Sequence, residues 1–379
     1  MIMKKIISIL LCLAVILSFP IVSCGAEKLD FVEAKSVVLM CLDNGEVLYK
    51  ENENAHLSPA SVTKVMTILL VLEAIDSGKI KMTDKVSASA EAVKMGGSQI
   101  WLEQGEQMTV EELFKAVVVA SANDACTALA EYIGGSTSSF VSMMNKRAKE
   151  LGCQNTNFEN CNGLDDTVTN HYSCAYDIAL MTREVMKHKR IEKYTSIWLD
   201  SLRNGKTELN NTNKLVNTFN GITGLKTGTT SNAGFCISAT ARRDGINLVA
   251  VVLGSDTSEK RFDTAANLLE WGFASYELIE PKIDKSKIKP VKVKNGIEKE
   301  ITPALSENSK VMIKKGAGEL SYKYKLINSV NAPVKKGDSL GEIVIENDGK
   351  ELGSIKLVAK KDVKTVTVND IFCIVINNL

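Results

Sequence analysis

The segment Pro59-Ala60-Ser61-Val62-Thr63-Lys64 runs straight into Val65-Met66-Thr67-Ile68-Leu69-Leu70-Val71-Leu72-Glu73-Ala74-Ile75. Ser58 and Pro59 are helix-opening residues, and Ser77-Gly78 closes the run. A helix that is apolar on nearly every face belongs at the buried centre of a domain. Ser61 and Lys64 then stand one turn apart on the same face, at the mouth of that helix. A serine hydroxyl is a weak nucleophile until a neighbouring base takes its proton. Lysine becomes that base only when burial or a nearby cation destabilises its ammonium. Ser-x-x-Lys alone proves little, since a capping serine beside a solvated lysine reads the same way.

Two further tripeptides narrow the reading. Ser121-Ala122-Asn123 falls 60 residues beyond Ser61, and Lys226-Thr227-Gly228 follows 105 residues after that. Thr109 and Glu112 form a capping box for a helix reaching Val119. The next helices are expected over 124–133, stopped by Gly134-Gly135, and over 139–151, stopped by Gly152. Ser121 therefore sits at a helix–helix junction. Upstream, residues 29–49 read as a hairpin turning at Asp43-Asn44-Gly45. Downstream, 235–241 and 246–253 flank Arg242-Arg243-Asp244-Gly245 as a second hairpin, and a helix over 259–273 closes the region. Each motif residue has a chemical use. Ser121 can relay a proton between Lys64 and a leaving amine, and the Asn123 amide can hold substrate backbone. Lys226 and the Thr227 hydroxyl can bind a terminal carboxylate from a strand edge, and Gly228 lets substrate lie close. The backbone N–H groups of Ser61 and Thr229 are the expected oxyanion hole.

Composition bounds the remainder. A chain of 379 residues, 45% hydrophobic, has room for two or three domains and a sizeable core. Forty-six basic against 45 acidic residues give no reason to expect nucleic acid as a partner. With only three histidines (His56, His171 and His188) and no C-x-x-C, neither a metal site nor a cofactor is expected. Lys4-Lys5, an apolar run and small residues near Ala26 make 1–26 a secretory signal, so the mature protein is expected outside the cytoplasm. Ordinary cleavage after about Ala26 is the preferred reading. Ile21-Val22-Ser23-Cys24 also fits a loose lipobox, in which a lipid on Cys24 would hold the protein at the membrane. Cys41, Cys126, Cys153, Cys161, Cys174, Cys236 and Cys373 are scattered and read as buried small apolar residues; a Cys153–Cys161 bridge stays open.

Residues 27–277 thus read as the catalytic domain. Residues 281–370 carry 19 lysines, no arginine and 12 acidic residues. Short alternating stretches at 291–294, 310–313, 343–345, 355–358 and 363–368 make this a small basic all-β domain. Residues 371–379 are a short apolar tail, a second candidate for membrane contact but too short to span a bilayer.

The set S-x-x-K, S-x-N, K-T-G in this order resembles the signature of penicillin-recognising serine acyltransferases. Pro59-Ala60-Ser61-Val62-Thr63-Lys64, Ser121-Ala122-Asn123-Asp124-Ala125 and Gly224-Leu225-Lys226-Thr227-Gly228-Thr229-Thr230-Ser231 resemble the low-molecular-mass penicillin-binding D-alanyl-D-alanine carboxypeptidases. Asn162-Gly163-Leu164, His171-Tyr172-Ser173 and Arg261-Phe262 share the likeness, which spans about 30–277. The resemblance implies an α/β (α+β) transpeptidase-like, β-lactamase-like domain: an antiparallel sheet packed by helices, followed by the small all-β domain. It implies peptidoglycan stem peptides ending in D-Ala-D-Ala as substrate and β-lactams as covalent inhibitors. Catalytic roles fall to Ser61, Lys64, Ser121 and Asn123, and substrate binding to Lys226, Thr227 and Thr229. His171 is expected to be a structural hydrogen-bonder, and Cys161 to border the site rim. Rival readings are a D,D-endopeptidase, a β-lactamase and a non-catalytic wall-binding protein. The second needs an E-x-x-L-N pattern, of which Glu159-Asn160-Cys161-Asn162 lacks the leucine; the third should show a damaged motif, and all three are intact.

Overall fold

The computed structural model describes residues 28–166, 168–306, 310–367 and 370; the expected signal sequence and the 371–379 tail lie outside the described residues. The first hairpin forms from β1 (Ser36–Cys41) and β2 (Val47–Glu51). A 3-10 turn, Ala60–Thr63, then leads into α1 (Lys64–Asp76), with ten of its thirteen residues buried, as its all-round apolar sequence requires. A small ribbon of β3 (Lys85–Ser87) and β4 (Gln107–Thr109) introduces α2 (Val110–Val119). The capping box is complete: the Glu112 N–H donates to Thr109 Oγ1 at 3.2 Å, and the Thr109 N–H donates to Glu112 Oε2 at 2.8 Å. Helices α3 (Asn123–Gly134), α4 (Thr137–Glu150) and α5 (Ala175–Met186) follow, with Gly135 ending α3 at φ 78°.

After the short helix α6 (Glu192–Thr195), the ribbon of β5 (Leu199–Leu202) and β6 (Thr207–Asn210), and one turn α7 (Leu215–Thr218), the chain enters the main sheet. Strands β7 (Ile222–Thr230), β8 (Gly234–Arg243) and β9 (Ile246–Ser255) form a meander, and β1 adds beside β9. The order is β2-β1-β9-β8-β7, antiparallel throughout, with β7 at the edge. Alternate residues of β1 serve opposite faces. Val38 and Met40 join the core built around α1, whereas Leu39 meets Gly272 of α8 (Ser258–Ser275). The sheet is therefore covered by helices on both sides.

The second region begins within strand β10 (Tyr276–Ile279), which leaves α8 directly and pairs with β14 (Val311–Lys314). Between them lie β11 (Val291–Lys294), β12 (Glu300–Ile301) and β13 (Pro303–Leu305). Beyond them come β15 (Ser321–Leu326), β16 (Ser329–Asn331), β17 (Ser339–Asn347) and β18 (Lys350–Ala359). One sheet has the order β13-β18-β17-β15 and another β12-β11-β16. Strand β15 was not among the expected stretches, because its alternating tyrosines and lysines lack the β-branched run of its partners. The expected strand at 363–368 does not form a ladder over its described residues. Val363 bridges Val334, but Thr365 bridges Gly296, so neighbouring residues change partners.

All six described cysteines from Cys41 to Cys236 are free and buried. The open Cys153–Cys161 pairing is therefore not made: the Cys153 thiol donates to the Asp177 carbonyl, and the Cys161 thiol lies beside Thr127.

Candidate active site

Ser61 is the partly exposed member of the Ala60–Thr63 turn, while Lys64 behind it has no solvent exposure. Ala60, immediately before Ser61, is held at φ 47°, a conformation that non-glycine residues rarely adopt and that collects at functional sites. Lys64 Nζ reaches three oxygens: Ser61 Oγ at 2.9 Å, Asn123 Oδ1 at 2.6 Å and the Asn162 carbonyl at 2.7 Å. An ammonium has three protons, so its valences are exactly matched in number by these acceptors. Burial pushes the Lys64 ammonium down to about 8, partly opposed by the charges of Cys126, Cys161 and Asp124. Losing one proton leaves two N–H bonds to Asn123 and Asn162 and a lone pair directed at Ser61. Such an arrangement can aim a neutral amine at one hydroxyl.

Ser121 is buried at the junction of α2 and α3, at φ 62°. Asn123, rather than Ser121, touches Lys64. Its amide is occupied at both ends, because Nδ2 also donates to the Gly96 carbonyl at 2.7 Å. Asn123 thus links Lys64 to the 96–98 loop. Asp124 extends this link by accepting the Ile100 and Leu102 N–H groups. Sequence reasoning missed Asn162 as a functional residue. It acts through its backbone carbonyl, which carries no side-chain signal. Its placement depends on Gly163, where a Cβ would lie 1.8 Å from the Ala60 carbonyl oxygen.

The Lys226-Thr227-Gly228 motif lies on edge strand β7. A Cβ on Gly228 would stand 2.8 Å from the Ser61 amide nitrogen, so the absent side chain allows the strand to pass beside the nucleophile. Lys226 is buried and donates to the Thr227 carbonyl at 2.9 Å. Burial, then repulsion by Lys64 and Arg261, drives its ammonium well below the ordinary lysine range. The Thr227 hydroxyl donates to Thr212 Oγ1, and the Thr229 hydroxyl to the Gly228 carbonyl. Arg261 braces this strand from α8, donating to the Gly228 and Cys236 carbonyls and to Thr229 Oγ1.

His171 behaves as a bracket. Its Nδ1 accepts the Glu159 N–H at 3.0 Å, so the proton of the neutral ring is on Nε2, 2.8 Å from Thr63 Oγ1. Burial pushes it down to about 4. Glu159 accepts the backbone N–H groups of Thr169 and Asn170. That carboxylate is tied into a loop instead of being offered as a deacylating base. Cys161 is 2% exposed, and its carbonyl accepts the Thr67 hydroxyl of α1.

The chain matches the family model described as D-alanyl-D-alanine carboxypeptidase over residues 24–257. It also matches the model described as penicillin-binding protein 5, C-terminal domain, over residues 276–365. It is 44% identical over 337 residues to D-alanyl-D-alanine carboxypeptidase DacF of Bacillus subtilis (strain 168), covering 88% of this chain and 86% of the relative. Identity to D-alanyl-D-alanine carboxypeptidase DacC of Escherichia coli (strain K12) is 34% over 342 residues, covering 88% and 85%. Among solved structures, penicillin binding protein 5 from Haemophilus influenzae superposes with a TM-score of 0.78 at 32% identity, covering 90% of this chain and 100% of that one. Penicillin-Binding Protein D2 from Listeria monocytogenes, in its ampicillin-bound form, gives 0.60 at 31% identity, covering 65% and 100%.

Proposed function

The chain belongs to the D-alanyl-D-alanine carboxypeptidase family, and from that premise we propose that Ser61, Lys64, Ser121, Asn123, Lys226, Thr227 and Thr229 carry its reaction. It is a serine-type, penicillin-binding carboxypeptidase of bacterial cell-wall maturation. The substrate is a peptidoglycan stem pentapeptide ending in D-Ala-D-Ala. Neutral Lys64 takes the Ser61 proton as Oγ attacks the penultimate D-alanine carbonyl. The oxyanion is met by the N–H groups of Ser61 and Thr229, which the approach of Gly228 to the Ser61 amide supports. The C–N bond then breaks, and Ser121 passes the proton to the departing D-alanine amine. Water hydrolyses the acyl-enzyme with Lys64 again accepting a proton. Lys226 with Thr227 receives the terminal carboxylate, whose arrival offsets the charge that burial disfavours. β-Lactams acylate the same serine.

The observation that carries this reading is the 2.9 Å contact between a fully buried Lys64 and the partly exposed Ser61. Mass analysis of the product from a defined pentapeptide tests it: loss of one D-alanine is expected, and cleavage at any other bond contradicts it. In this reading the enzyme works outside the cytoplasm, with 1–26 as its signal and 27–277 and 281–370 as its two domains. Among the described residues no helix is long and apolar enough to cross a membrane. Any membrane attachment would come through a lipid at Cys24, in place of ordinary cleavage after about Ala26, or through the 371–379 tail. Fractionating cells that express Cys24→Ala separates the two: release from the membrane supports the lipid, and retention supports the tail.

A further inference from the structure

Two buried thiols stand beside the catalytic lysine, and the acyl-transfer steps use neither. Cys126 on α3 donates its thiol to the Cys161 carbonyl at 3.2 Å. The Cys161 thiol is 3.9 Å from Thr127 Oγ1, on the same helix. The two residues are therefore in direct contact, thiol to backbone, and both act on the charge of Lys64. Cys161 is covalently followed by Asn162, whose carbonyl is one of the three acceptors of Lys64. Its other side borders a cavity of about 440 Å³ lined by Glu91, Lys94, Met95, Asn162 and Leu164. Cys161 thus borders this space, with Cys126 buried behind it and the catalytic base beyond.

We propose that Cys126 and Cys161 form an oxidation site, in which peroxide admitted through this cavity joins them as a disulfide that displaces Asn162 and turns acylation off. The inference rests on the reading of Lys64 as the base. Burial pushes the Cys126 thiol up, but its hydrogen bond with Cys161 and the charge of Lys64 outweigh this, so the net direction is down. Cys161 is held well above the ordinary thiol range, first by that same hydrogen bond and then by burial. Cys126 is accordingly the nucleophile of the pair. Its thiolate attacks one oxygen of hydrogen peroxide, the O–O bond breaks, and the released hydroxide takes up the thiol's proton as water. The Cys161 sulfur then attacks the Cys126 sulfenic acid; the S–O bond breaks, and hydroxide leaves with the Cys161 proton as a second water. Two thiols and one peroxide give one disulfide and two waters. Forming the bond removes Cys126 from the Cys161 carbonyl and shifts the 161–162 backbone, which carries the Asn162 carbonyl that holds Lys64.

The test treats the full chain with hydrogen peroxide, then measures its acylation rate by a fluorescent penicillin and maps its peptides by mass. The expected result is a peptide containing Cys126 joined to one containing Cys161, with loss of two hydrogens. Acylation should slow about a hundredfold, the effect of displacing a catalytic group by about 1 Å, and dithiothreitol should restore it. Cys161→Ala and Cys126→Ser should each keep their own untreated rate through the same exposure. A peptide map without the 126–161 link, a linked enzyme that acylates at the untreated rate, or equal inactivation of Cys161→Ala would each overturn the proposal. The link is read by mass alone, so its formation is scored even if labelling of a Ser61→Ala variant sinks the catalytic reading.

Discussion

The two regions of this protein use lysine in opposite ways. All nineteen lysines between 281 and 370 are exposed, several paired with surface carboxylates such as Glu342 and Glu298. In the catalytic region Lys64 and Lys226 are 0% and 1% exposed. A hydrated ammonium keeps its proton and contributes a screened surface charge, worth little to any one contact. An ammonium stripped of water gives its proton up more readily, and what surrounds it then decides its task. Lys64 has three acceptors and faces a serine. Lys226 has one backbone carbonyl and two cationic neighbours, which suits a group awaiting an anion. The lesson is that charge counting identifies the peripheral region, while burial identifies the reactive one.

The strongest way to break this contrast is to remove the buried pair. Ser61→Ala should abolish covalent labelling by a fluorescent penicillin. Lys64→Ala should slow acylation by about 10²–10⁴-fold, the usual contribution of a general base, with the circular dichroism of the folded domain retained. Labelling that survives at another residue would contradict both. Next in size, Lys226→Ala should lose a charge-assisted contact worth about 1.5–3 kcal/mol, roughly 10- to 150-fold in kcat/KM for free-acid peptides. Peptide amides should be little affected; if the variant still prefers free acids, another cation binds the carboxylate.

A smaller effect concerns the bracket behind Thr63. His171 is neutral in the folded protein and pushed down to about 4, against 6.5 when free. Between those values the unfolded chain binds more protons, so stability rises with pH across the interval and is lost as pH falls through it. The loss is about 3 kcal/mol between pH 6.5 and 4. Denaturant titrations of the wild type and His171→Gln at both pH values check this: the extra acid sensitivity should vanish in the variant. The smallest effect sharpens the contrast from the other side. Lys292→Ala, on an exposed strand position, should change stability by less than about 0.5 kcal/mol and leave acylation unaltered.

Much of this is legible in the sequence. The all-apolar run after Lys64 announces a central helix, and the Thr109–Glu112 box announces the next. Three motifs at fixed order announce the reacting groups. What escaped were features without a side-chain signal or with remote partners. The Asn162 carbonyl is a backbone atom 98 residues from Lys64. Strand β1 finds β9 more than 200 residues away, a pairing that local periodicity does not encode. The contact of the Asn123 amide with Gly96 reaches an irregular loop that no periodicity marks. In the β-domain, alternation at 363–368 suggested one strand, but hydrogen bonds to Val334 and Asn295 divide it between two neighbours.

The account turns on Lys64 acting as a neutral amine, and the pH dependence of the acylation rate constant tests that most directly. Stopped-flow labelling of the wild-type protein by a penicillin, from pH 6 to 10, should show a rate that climbs through a midpoint near 8 and then levels, following deprotonation of the buried lysine. A rate that is flat across this range, or that falls as pH rises through 8, would mean that Ser61 is activated by some other group.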